Sequence, residues 1–85
     1  MKRYLVMAMR GPDFSEAAIA PHLAFLDGLR EQGLLELTGG FSDKSGGAYV
    51  LTGVASLDEA RAIVARDPLA TGGASVLTVY EWNTR

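Results

Sequence analysis

Two residues of this sequence stand where the hydropathy pattern expects an apolar side chain, and together they could move protons. His22, the only histidine of the chain, lies in APHLAFLDGL (20–29), and Asp67 lies in VARDPLATGG (64–73). A carboxylate beside an imidazole orients the ring, selects its tautomer and makes it a better general base near neutral pH. That chemistry requires two residues far apart in the sequence to meet in space. The elements that carry them decide whether they do.

KRYLVMAM (2–9) is β-branched and aromatic and stops at RGPD, a strong turn signal, so it reads as a first strand. Asp13 or Ser15 can cap a helix after that turn. Pro21 suits a first helical turn, which places the start of the helix near Ala20 and its end at Gly33. Ile19, His22, Leu23, Leu26 and Leu29 or Arg30 fall at helical spacing, so the apolar stripe passes through His22. LLELTGGF (34–41) reads as a second strand, DKSGG (43–47) as a hairpin turn and AYVLTGVA (48–55) as a third strand. A second helix opens with Ser56 at the cap and Glu59 three residues later. Leu57, Ala60, Ile63 and Val64 form its stripe, and Asp67 takes the next position on it, just before Pro68 ends the helix. A flexible ATGG then leads into a final strand, ASVLTVYEW (74–82).

This order of elements predicts an α+β fold, the ferredoxin-like βαββαβ arrangement with a four-stranded antiparallel sheet, as a single domain over residues 1–85. Right-handed crossovers put both helices on one face of the sheet. If the first strand runs up, the first helix runs down and the second runs up, so the start of one and the end of the other share a pole. His22 and Asp67 are predicted to meet there. The same pole collects Arg10 from the end of the first strand, Gly39, Gly40 and Phe41 from the end of the second, and the glycines and Ser75 that open the fourth. Arg10, Gly40, Phe41 and Ser75 are the candidates for substrate contacts, with His22 and Asp67 as the catalytic pair. The competing reading is that His22 only fills a core position and Asp67 only caps backbone before Pro68.

Other chemistries find less support. One histidine and no cysteine leave only carboxylates to complete a metal site, so no metal is expected. TGG and SGG lack the lysine or extended glycine pattern of a phosphate loop, and no motif points to a cofactor. A formal net charge of −2 and scattered basic residues argue against nucleic acid. Tyr49, Tyr80 and Trp82 could suggest base stacking, but AYVLTGVA lacks the basic, aromatic signature of that use, which assigns these rings to the core or an interface. No stretch approaches the roughly 20 apolar residues of a membrane span. The opening apolar run is short, broken by Arg10 and without a cleavage site, so a cytoplasmic location is expected.

With these residues in place, the chain resembles the YciI-like family of small ferredoxin-like proteins, and it does so over nearly its whole length. The resemblance rests on a short opening strand, APHLAFL at the start of the first helix, LLELTGG, SLDEARAIVARDP and a closing aromatic strand. It implies that the family's histidine and aspartate map onto His22 and Asp67 as active-site residues, that the chain forms a dimeric α+β barrel, and that its reactions are eliminations or isomerisations of small, often aromatic, hydroxylated molecules. Two positions depart from the family pattern: Ala20 stands where many members carry arginine, and Phe41 where proline is usual. The family's anion-recognising arginine therefore has no counterpart at position 20.

Strand patterning points independently to a homodimer. The first strand is apolar on both faces, Tyr4, Val6 and Ala8 against Leu5, Met7 and Met9, yet two helices cover only one. The sequence thus describes a small-molecule enzyme that transfers protons through a His–Asp pair. The alternative is a non-catalytic ligand-binding or interaction module in which the same pair holds the pocket together.

Overall fold

The computed structural model of the protein describes all 85 residues. Strand β1 (Lys2–Arg10) is followed by a single 3₁₀ turn (Glu16–Ala18), helix α1 (Ile19–Glu31), strands β2 (Leu35–Gly40) and β3 (Gly46–Leu51), helix α2 (Leu57–Val64), a short helix α3 (Pro68–Thr71) and strand β4 (Ser75–Asn83). The strands form one antiparallel sheet in the order β2-β3-β1-β4, the ferredoxin-like order. No helix is long and apolar enough to cross a membrane.

Local chemistry sets most of the boundaries. Ser15 caps the 3₁₀ turn through Ala17 N–H, and Ser56 caps α2 through Glu59 N–H at 3.1 Å. Helix α1 ends at Glu31 and is closed two residues later by Gly33, whose φ of 74° lets Gly33 N–H reach Arg30 C=O while Leu34 N–H reaches Leu29 C=O. That is a Schellman stop, and it turns the chain directly into β2. Strand β3 is displaced from the expected 48–55. It begins at Gly46, within the expected turn, because Gly46 and Gly47 pair with Met9 and Ala8 of β1. It ends at Leu51, because the chain turns away through Gly53 at a φ of 70°. Between β2 and β3 the Asp43 carboxylate accepts from the Ser45 N–H and hydroxyl, which hold its pKa below the ordinary carboxylate value.

The larger departure lies after α2. Pro68 does not simply terminate a helix: it occupies the first turn of α3, where its missing N–H costs nothing, and Asp67 is the N-cap. The stretch expected to be flexible is therefore a helical turn followed by Gly72 and Gly73, the latter at a φ of 71°.

The helices pack on one face of the sheet. Tyr4, Val6, Tyr49 and Leu51 of the sheet meet Leu26 and Leu29 of α1 and Ala60, Ile63 and Val64 of α2 in the principal core. Each large apolar side chain buried there contributes about 1.5–3 kcal/mol of transfer free energy. A smaller cluster of Ala8, Leu69 and Ala74 closes the core at the pole where β1 ends and β4 begins. The sheet's other face has no cover, and Leu37, Val76, Tyr80 and Trp82 are all exposed. At the opposite pole the chain ends lie side by side: the Met1 amino group donates to Thr84 C=O, and Thr84 N–H donates to Met1 C=O.

Candidate active site

Asp67 is the only buried polar or charged residue of the protein, with no solvent exposure. Its position follows from the α2–α3 junction, where an extended backbone at Asp67 lets one carboxylate oxygen, Oδ1, accept from Leu69 N–H at 2.9 Å. The local capping role considered for Asp67 is thus present, and it leaves most of the carboxylate free for other partners. His22 Nδ1, from the first turns of α1, lies 2.9 Å from Oδ1 and 3.0 Å from Oδ2. The Tyr49 hydroxyl, from β3, donates to Oδ2 at 2.8 Å. Leu69 N–H and the Tyr49 hydroxyl both donate to the carboxylate. An ionised, acceptor-only Asp67 matches that environment, and the proton on the neutral imidazole then resides on Nδ1.

This arrangement orients His22 in the way a general base requires. Nε2 takes no partner from the chain and is not sealed from solvent, whereas Nδ1 is fully occupied. The Tyr49 ring lies beside it, tilted, at 5.9 Å between centroids. Burial, the adjacent Asp67 charge and the hydrogen bond to it push the Tyr49 phenol far above its ordinary pKa, so it stays a neutral donor.

A cavity of about 390 Å³ opens beside the imidazole. Ile19, His22, Leu23 and Leu26 of α1 line one side. Gly39, Gly40, Gly46 and Gly47 line the sheet side, where the absence of side chains makes the space. Arg10 and Ser75 line it where β1 ends and β4 begins, and Phe14 and Leu69 contribute from the connecting segments. Of the residues named from sequence, His22, Arg10, Gly40 and Ser75 therefore border one cavity, and Asp67 backs it through His22. Phe41 does not border it. It sits just beyond β2, exposed, with its N–H bonded to Gly46 C=O, so the hairpin turn rather than the cavity sets its position.

Two residues of the site carry no signal in the sequence. Tyr49 reads as an ordinary core aromatic, and its hydroxyl reaches Asp67 only because the β1–β3 register puts Tyr49 opposite Val6, under the α2–α3 junction. Phe14, in the connection after β1, carries the Arg10 guanidinium 4.1 Å above its ring centroid. The RGPDF sequence around it signals a turn and nothing more.

Comparison with known proteins agrees with this architecture. The chain matches uncharacterized protein YjpA of Bacillus subtilis (strain 168) at 42% identity over 85 residues, which is all of this chain and 99% of that protein. The solved structure of 5-chloro-2-hydroxyhydroquinone dehydrochlorinase (TftG) from Burkholderia phenoliruptrix AC1100, in complex with 2,5-dihydroxybenzoquinone, superposes with a TM-score of 0.74 over 95% of this chain and 93% of that one. At 23% identity that likeness is one of fold. The model of the YCII-related domain matches residues 2–83, and on that coverage and the identity to YjpA the chain belongs to the YCII-related family.

Proposed function

We propose that the protein is an enzyme that transfers protons on a small molecule, with His22 as general base and acid and Asp67 as the residue that orients it. One observation carries this reading: the imidazole is fixed through Nδ1 by a sealed carboxylate while Nε2 is left without a partner on a ring that borders the cavity. In an elimination, Nε2 takes a proton from the substrate, the electron pair it leaves forms the new double bond, and the leaving group departs with its own bonding pair. In an isomerisation, Nε2 returns the proton to a different atom. The protein with the similar fold is a dehydrochlorinase, which favours elimination. We also propose that a second copy of the chain covers the open face of the sheet, which exposes Leu37, Val76, Tyr80 and Trp82.

Chloride release from 5-chloro-2-hydroxyhydroquinone is the first assay, followed by other hydroxylated aromatic compounds. His22→Gln keeps much of the size and a hydrogen bond to Asp67 but removes the base. It is expected to lower kcat on the order of a hundredfold or more while leaving ligand affinity within a few-fold. Unchanged turnover in the variant would overturn the proposal.

A further inference from the structure

We infer that the ligand of this cavity is a single-ring anion and that Arg10 recognises its negative charge. The inference rests on the reading of the cavity as a ligand site, and it adds the class of compound.

Arg10 is the one lysine or arginine bordering the cavity, and no aspartate or glutamate borders it. The chain's own carboxylates do not satisfy the guanidinium. Lys2, Arg3, Arg30 and Arg61 each pair with an acidic residue, whereas Arg10 makes no ion pair; Lys44, Arg66 and Arg85 make none either, but of these four exposed residues only Arg10 borders the cavity. Its side-chain N–H groups have no acceptor in the chain, and its only hydrogen bond outside the sheet ladder is from the backbone N–H to Ser45 C=O at 2.9 Å. What positions the side chain is Phe14, with the guanidinium carbon 4.1 Å from the ring centroid. A guanidinium resting on an aromatic face is held without its donors being spent. Asp67 offers it nothing, because that carboxylate is sealed and engaged by Leu69, Tyr49 and His22.

The rest of the cavity sets the size and shape of the guest. Its volume of about 390 Å³ is enough for one ring with substituents. Ile19, Leu23, Leu26 and Leu69 give it apolar walls, which suit a ring and strengthen a charge interaction at its edge. An oxyanion attached to the ring, either a carboxylate or an ionised hydroxyl, supplies the acceptors Arg10 lacks. Charge-assisted hydrogen bonds of this kind contribute more than neutral ones.

The test compares 4-hydroxybenzoate with its neutral counterpart 4-hydroxybenzamide. A second arm follows 4-nitrophenol on either side of its own ionisation, which separates carboxylate from phenolate recognition. Binding is followed by NMR, with the His22 and Tyr49 ring protons reporting occupancy of this cavity. The wild type is expected to prefer at least one anion over its neutral form by roughly tenfold or more. Arg10→Gln is expected to abolish the preference, Arg10→Lys to retain part of it, and His22→Gln to keep it. Equal binding of both anions and their neutral forms, persistence of the preference in Arg10→Gln, or no anion binding up to the solubility limit would each overturn the inference. Turnover in His22→Gln is decided separately, so failure of the catalytic reading is distinguishable from failure of this one.

Discussion

Tyr49 and His22 share one oxygen of Asp67: Oδ2 accepts the Tyr49 hydroxyl at 2.8 Å and lies 3.0 Å from His22 Nδ1. The tyrosine thus holds the carboxylate from the sheet side while the imidazole engages it from the helix side. Because Tyr49 is buried, loss of Asp67 leaves its hydroxyl without a partner from the chain.

Tyr49→Phe removes this donor and leaves a carboxylate lone pair in the core without it. Unfolding measurements should show a loss of about 1–3 kcal/mol. The variant should also differ at alkaline pH. A phenol whose pKa is raised on folding favours the folded state fully below its unfolded pKa of about 10, and that contribution is lost as pH climbs toward the folded value. Wild-type stability should therefore fall above about pH 10 with a component that Tyr49→Phe lacks. Identical alkaline profiles for the two proteins would contradict the assignment.

Substitutions at Asp67 should separate stability from orientation. Asp67→Ala strands Leu69 N–H and the Tyr49 hydroxyl and is expected to cost about 3 kcal/mol or more by chemical denaturation. Asp67→Asn retains an acceptor for the cap but presents an amide to the imidazole and so disturbs its tautomer. Its stability should suffer less than that of the alanine variant, while kcat falls on the order of a thousandfold. A fully active Asp67→Asn would show that the ring needs no orienting charge.

The glycines of the cavity are not equivalent. A Cβ on Gly40 meets only Gly46 C=O at 3.9 Å, whereas one on Gly47 meets Gly39 C=O at 2.5 Å. Gly40 pairs with Gly47 two positions from the Thr38–Tyr49 pair, so its substituent faces the helices and the cavity. Gly40→Val should fold with undiminished Tm and bind single-ring ligands at least about tenfold more weakly, as expected when a side chain occupies ligand space. Gly47→Ala should instead lower Tm. A calorimetric scan of both variants with a ligand titration checks the pair.

A second subunit on the open sheet face can be tested through the only tryptophan, Trp82, which is 48% exposed in the single chain. Sedimentation at micromolar concentration should give a dimer. Trp82→Glu, or Leu37→Glu on the same uncovered face, should raise its dissociation constant about thirtyfold or more, as for a central interface side chain. A wild-type monomer would leave that face without its proposed partner.

Much of the fold is legible from the chain because hydrophobic period and turn chemistry agree with the final packing. His22 and Asp67 can be brought together from topology alone, since α1 begins and α2 ends at one pole and only direction is needed. Tyr49 needs more. Alternation gives its side of the sheet, but the partner of its hydroxyl depends on the register between β1 and β3 and on where α2 stops. The short helix α3 is hidden because proline signals both a stop and a start, and only the cap at Asp67 decides between them. Phe41 follows the strand direction correctly but not the hairpin, whose tight return through Gly46 carries it past the cavity.

The handshake between Met1 and Thr84 also has a practical meaning for anyone attaching cargo to this protein. Since β1 starts and β4 finishes together at the far pole from His22, extensions fused to either end leave from the same spot and point away from the mouth of the cavity. An affinity handle, a fluorescent reporter or a tether to a surface could be placed at whichever terminus is convenient without shading the imidazole.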